Sequence, residues 1–109
     1  MKEVSYKIID YPQLPVQVQA FVDKAKYNKI TEVFKGEDNS QYVFLSLGTR
    51  NTGGYGIEVS RVEEVEGKIV ITYQERKPAL NDLVIQVITY PWQVIQVDSL
   101  LPIVVQKEG

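Results

Sequence analysis

Cysteine and histidine are both missing from this 109-residue chain, and tryptophan and methionine occur once each. With neither of the first two, the chain can build no Cys or His nucleophile, no Ser-His-Asp triad, no Cys/His zinc site, no haem or iron-sulfur ligation and no histidine pH switch. The chemistry left to it runs on carboxylates, lysines, tyrosines and hydroxyls. Ser46 or Ser60 beside a lysine is the nearest approach to a nucleophile, and no motif places such a pair. No enzymatic activity, cofactor or metal is therefore expected. A basic stripe is absent too: twelve Lys and Arg stand against fourteen Asp and Glu. Nucleic-acid binding, which rests on neutralising phosphates, is not expected. The opening MKEVSYKIID has no apolar h-region, so no secretory signal is expected in this chain, and no window of about 20 apolar residues predicts membrane insertion. Lack of cysteine suits the cytosol and equally a secreted domain with a sufficient core, which leaves the compartment open.

What is present is β-forming. Valine and isoleucine account for 26 residues, joined by seven tyrosines and five threonines. Branched and aromatic side chains of this kind fit pleated, half-buried surfaces. The length suits one domain over residues 1–109, large enough to bury roughly 65% of its unfolded surface without disulfides. Val4, Tyr6 and Ile8 alternate as a first strand, and Pro12 and Pro15 break it. A helix then follows, with Pro15 in its first turn, Val18, Phe21, Val22 and Ala25 on one face, and Lys24 and Lys26 suited to its C-terminal end. This strand-and-helix lead-in occupies residues 1–27, and an antiparallel β core is predicted over 28–106. Its strands are Ile30–Phe34, Gln41–Leu47, Tyr55–Val65, Lys68–Glu75, Leu83–Thr89, Trp92–Val97 and Leu101–Val105. Gly36–Asn39 and Glu66-Gly67 are short enough to close hairpins. The fold class is mainly β, as an antiparallel sheet, sandwich or partly open barrel with one helix near the N-terminus.

Charge is unevenly spread. From Leu83 to Gln106, Asp98 is the one charged residue in 24. Apolar residues fall on both faces around Val84-Ile85 and Val87-Ile88, so these strands should be central or covered on both sides, as a core hairpin or as part of a protein interface.

Two local sequences stand out. Arg50-Asn51-Thr52-Gly53-Gly54-Tyr55-Gly56 lacks the Gly-Lys-Ser/Thr ending of a phosphate loop and leads into a strand. Its glycines permit a tight turn or bulge. Alternatively they expose backbone groups between Arg50 and Tyr55, a composition suited to gripping a protein surface. In Tyr90-Pro91-Trp92, Pro91 forces a bend, and the aromatic before it permits a cis bond. Trp92 either caps the core there or stands out as an anchor. Lys77–Asp82 reads as a loop. Glu63, Glu64 and Glu66 lack the oxygen-ligand spacing of a calcium loop and read as a solvated hairpin end.

Taken in order, Tyr42–Gly48, Thr52–Tyr55, Gly67–Tyr73, Pro78 and Gln86–Pro91 resemble the C-terminal domain of PrcB, a subunit of a bacterial protease complex. The resemblance covers roughly residues 40 to 97. It implies a non-catalytic accessory domain, exported or at the cell envelope, that binds protein near proteolysis. Arg50, Thr52, Gly53, Gly54, Tyr55, Tyr90, Pro91 and Trp92 are then the candidate contacts. The partner would be a protease or a subunit of its complex, or a second copy in a homodimer. Asn51–Tyr55 and Tyr90–Trp92 are also similar in order to two loops of chagasin-type protease inhibitors. They depart from that pattern by lacking the first loop's proline and second threonine, by Tyr90 in place of arginine, and by the N-terminal helix. Protease inhibition and structural homo-oligomerisation are the alternatives to the interaction module.

Overall fold

A computed structural model describes residues 2–108. Two four-stranded sheets face each other, and a helix lies on the outer side of one. In chain order the elements are β1 (Lys2–Glu3), β2 (Tyr6–Ile8), a 3-10 turn (Tyr11–Gln13), α1 (Val16–Ala25), β3 (Lys29–Lys35), β4 (Gln41–Leu47), β5 (Gly56–Val65), β6 (Lys68–Arg76), β7 (Trp92–Val97) and β8 (Ile103–Lys107). One sheet runs β1-β5-β6-β8 and the other β2-β7-β4-β3. The expected mainly β fold with one helix near the N-terminus is what the chain adopts, as two facing sheets and not a closed barrel.

Strand β4 explains the layering. Its residues Val43 through Leu47 are all buried, because Val43, Leu45 and Leu47 point between the sheets while Phe44 points to the helix side. A strand covered on both faces has no reason to alternate, and Tyr-Val-Phe-Leu-Ser-Leu does not. Between the sheets, β4 meets Ile57 and Val62 of β5, Ile69, Ile71 and Tyr73 of β6, and Ile95 and Val97 of β7. On the helix side, Phe44 and Val94 receive Leu14, Val18, Val22 and Ala25, with Phe21, Phe34 and Trp92 at the border. The helix face read from spacing is the buried one, and Pro15 sits at its N-cap.

A single irregularity keeps β5 amphipathic. Strict alternation after Ile57 and Val59 would turn Arg61 inward. The β5–β6 register shifts between Val59 and Arg61, which leaves Arg61 exposed and buries Val62. An extra residue in one strand of a pair does this by resetting the phase of the pleat. The hairpin closes at Glu66-Gly67, both with positive φ, as a two-residue turn between right-twisted strands requires.

Three strand expectations are corrected. The first strand is split: Lys2 and Glu3 pair with β5, and Tyr6–Ile8 pair with β7, so the chain passes from one sheet to the other at Val4-Ser5. The last strand begins at Ile103 and runs parallel to β6, where antiparallel pairing was the default. Gln41 fixes that crossover by donating from its side-chain amide to the carbonyls of Ser99 (2.7 Å) and Leu101 (2.9 Å). The third correction is the largest. Leu83–Thr89 belongs to neither sheet; it is an irregular arm on the outside, and β4 takes the doubly covered position expected of it.

Candidate interaction surface

The Gly-rich loop follows β4, and the arm that replaces the expected strand joins β6 to β7. Arg50 and Thr89 exchange backbone hydrogen bonds of 2.8 Å in each direction. The Gly53 N–H donates to the Ile85 carbonyl at 2.9 Å, the Thr89 hydroxyl to the Thr52 carbonyl at 2.8 Å, and the Leu47 N–H to the Pro91 carbonyl at 3.0 Å. The two loops singled out in the sequence are thus neighbours at one end of the sandwich, and the arm lies along the first of them.

The side chains then diverge. Arg50 turns toward β6, where its guanidinium meets the Glu75 carboxylate through two contacts of 2.8 and 3.0 Å and also donates to the carbonyls of Leu47 (3.1 Å) and Thr49 (3.0 Å). The Tyr55 ring lies 5.7 Å from the guanidinium carbon. A planar guanidinium matched to a carboxylate by two parallel bonds is a strong, orienting pair. Glu75 is only 7% exposed along its side chain and has a further contact with Lys107 at 3.3 Å. The hydrogen bonds from Arg50, and after them those from Lys107, hold its carboxyl at about 2, well below its ordinary 4.5. This pair clips the Gly-rich loop to the β6–β8 side of the domain.

Gly54 is used by the chain itself. It has φ +91, and a Cβ placed on it would stand 2.9 Å from Pro78 Cβ and 3.2 Å from Val84 Cγ1. Pro78, in the loop after β6, and Val84 of the arm fill the space a side chain would need. Tyr90 and Trp92 turn the other way, toward the helix. Tyr90 meets Tyr27 edge to face at 4.7 Å between centroids, and Trp92 lies 6.2 Å from Phe44 and 6.3 Å from Tyr11. Trp92 opens β7 and is half-buried, and the peptide bond before Pro91 is trans. The serines weighed for catalysis have other partners: the Ser46 hydroxyl donates to the Lys26 carbonyl at 3.2 Å, and that of Ser60 to Glu108 at 3.3 Å. Of the glutamates read as a hairpin end, Glu63 meets Arg61 at 3.2 Å and Glu66 lies in the exposed turn.

What the sequence did not disclose is how bare the arm is. Leu80 and Leu83 are fully exposed, Ile85 is 72% exposed, and Val87 and Ile88 are about half exposed. The visible signal was the uncharged run itself, together with the Pro78 and Asn81-Asp82 loop chemistry in front of it.

Residues 41–98 match the family described as PrcB C-terminal. The chain belongs to the PrcB C-terminal family. The matched span runs from β4 through β7, so both loops and the whole arm lie inside the PrcB C-terminal region, while α1, β3 and β8 lie outside it. Neither the curated proteins nor the solved structures contain a match to this chain.

Proposed function

We propose that this chain is a non-enzymatic protein-interaction domain of a protease-complex subunit, and that it binds through the Gly-rich loop, the arm and the Tyr90 corner. Membership of the PrcB C-terminal family supports the setting. The observation that carries the surface is the arm with the turn before it: five large aliphatic side chains stand in solvent within nine residues, Leu80 to Ile88. Large aliphatic side chains concentrated in solvent in this way favour a site of association. Arg50 and Gly54 shape the surface from beneath. Tyr55, half-buried beside Arg50, contributes rigid aromatic area with a hydrogen-bonding tip at its margin, and Tyr90, turned onto Tyr27, forms the corner next to it. Trp92, packed on Phe44, supports the Tyr90 corner.

The test is capture of the partner from the native cell by the immobilised domain, with a Leu83→Ser/Ile85→Lys variant beside the wild type. Both side chains are exposed, so their replacement should leave the thermal midpoint nearly unchanged. The expected result is loss of partner affinity by a factor of 10 to 1,000, on the order of one or two central interface residues. Equal capture by both proteins would remove the arm from the reading.

A further inference from the structure

Charge marks the other strand margins of the domain. The outer strand β3 carries Lys29, Glu32 and Lys35, β2 carries Lys7, β8 carries Lys107, and β1 consists of Lys2 and Glu3. Charged edges resist pairing with another chain. Leu83-Val84-Ile85-Gln86-Val87-Ile88 has no charge, no glycine and no proline. Among the described residues, none of its six amide N–H groups donates a hydrogen bond, and the Ile85 carbonyl, held by Gly53, is the one carbonyl of the six that accepts from a backbone N–H. A six-residue run with five branched side chains and free amide N–H groups is a template for strand addition.

The occupant has to suit the chemistry of the run. A lipid surface does not: Asp82, whose carboxylate accepts from the Ala79 N–H at 2.8 Å, sits between Leu80 and Leu83 and would enter the apolar layer with them. A second copy of the same run does. Set antiparallel about a two-fold axis at Gln86, it puts Gln86 opposite its counterpart, Ile85 opposite Val87, and Val84 opposite Ile88. Neutral amides meet at the axis, branched chains meet on either side, and no like charges face each other. The same symmetry applied to β3 about its central Glu32 would set Glu32 against Glu32 and Lys29 against Lys35. We infer that a second copy of this chain covers the arm in an isologous dimer, the segment straightening from its bend at Val87 as the two runs pair. This rests on the reading of the arm as a binding surface and names the partner at it.

The chain has no cysteine, so a single introduced thiol reports proximity without background. Light scattering of the wild type at rising concentration should show the mass double, and Ile85→Lys should keep the monomer mass at every concentration. Gln86→Cys, at the axis, should form a disulfide-linked dimer in mild oxidant, whereas Glu37→Cys, in the exposed Gly36–Asn39 turn, should stay a monomer under the same conditions. A wild type that remains monomeric at millimolar concentration, with the two cysteine variants cross-linking alike, overturns the dimer. So does a dimer mass that Ile85→Lys leaves unchanged. If the dimer fails while partner capture still depends on Leu83 and Ile85, the proposed function survives; if that dependence is lost too, both fail.

Discussion

Phe44→Ala is expected to cost about 4 kcal/mol of folding stability and to release the helix before the sandwich. Phe44 is completely buried, in edge-to-face contact with Phe21 at 5.5 Å and beside Trp92, beneath the apolar face of α1. That helix has ten residues and no side-chain hydrogen bond at its N-cap, so little of its stability is its own. Packing on Phe44 and Val94 holds it. Removing the ring leaves a cavity between helix and sheet while the second cluster, around Val43, Leu45 and Ile71, keeps its contacts. For a domain this size the loss corresponds to a fall in thermal midpoint on the order of 20 °C. Denaturant titration gives the free energy, and circular dichroism shows whether helical signal is lost first. A cost under about 1 kcal/mol would mean that α1 is held by something other than this contact.

The second large effect lies at Glu75. Its carboxyl titrates at about 2 in the folded protein against an ordinary 4.5, with the Arg50 guanidinium as the main cause. A depressed carboxylate contributes stability that is fully present above its ordinary value and is lost as pH falls through the window from about 4.5 to about 2. The full shift would correspond to about 3 kcal/mol; Arg50 is 24% exposed and Lys107 34%, and solvent screening lowers the expected contribution to ~2 kcal/mol. Glu75→Gln should therefore be less stable than the wild type by about that amount at neutral pH, and the difference should shrink toward zero at pH 2. Urea midpoints of both proteins between pH 7 and pH 2 measure it. Parallel curves would show that the clip contributes no pH-dependent stability. Because the clip anchors Arg50, and Arg50 pairs with Thr89, the same variant should also loosen the arm.

Much of this architecture is readable from residue pattern. The helix declares itself through Val18, Val22 and Ala25, the β5–β6 hairpin through Glu66-Gly67, and the central strand through the unbroken apolar run of β4. The segment that misleads is Leu83–Thr89. Pattern reasoning assigns an uncharged, branched run to the interior because burial is the usual way to satisfy such side chains. Here β4 already holds the covered position, and the run is left outside. Sequence spacing brings Arg50–Tyr55 and Tyr90–Trp92 to notice, but it carries no information on direction. Arg50 is taken up by Glu75, 25 positions away. Trp92 is taken up by Phe44 and Tyr11 on the helix side. Gly54 is filled by Pro78 and Val84. Contacts between distant parts of the chain decide each of these, and no local motif encodes them. The surface they leave uncovered is the arm.

Whether the arm stands free and is covered on association is measured most directly by amide hydrogen exchange across it, in dilute solution and again in the associated state. The N–H groups of Leu83 to Ile88 should exchange at nearly the rate of an unstructured peptide in the dilute protein and slow by about tenfold or more on association, while those of Val43 to Leu47 stay slow throughout. Arm amides as protected as those of β4 in the dilute protein, or unchanged when it associates, would contradict a free arm that association covers.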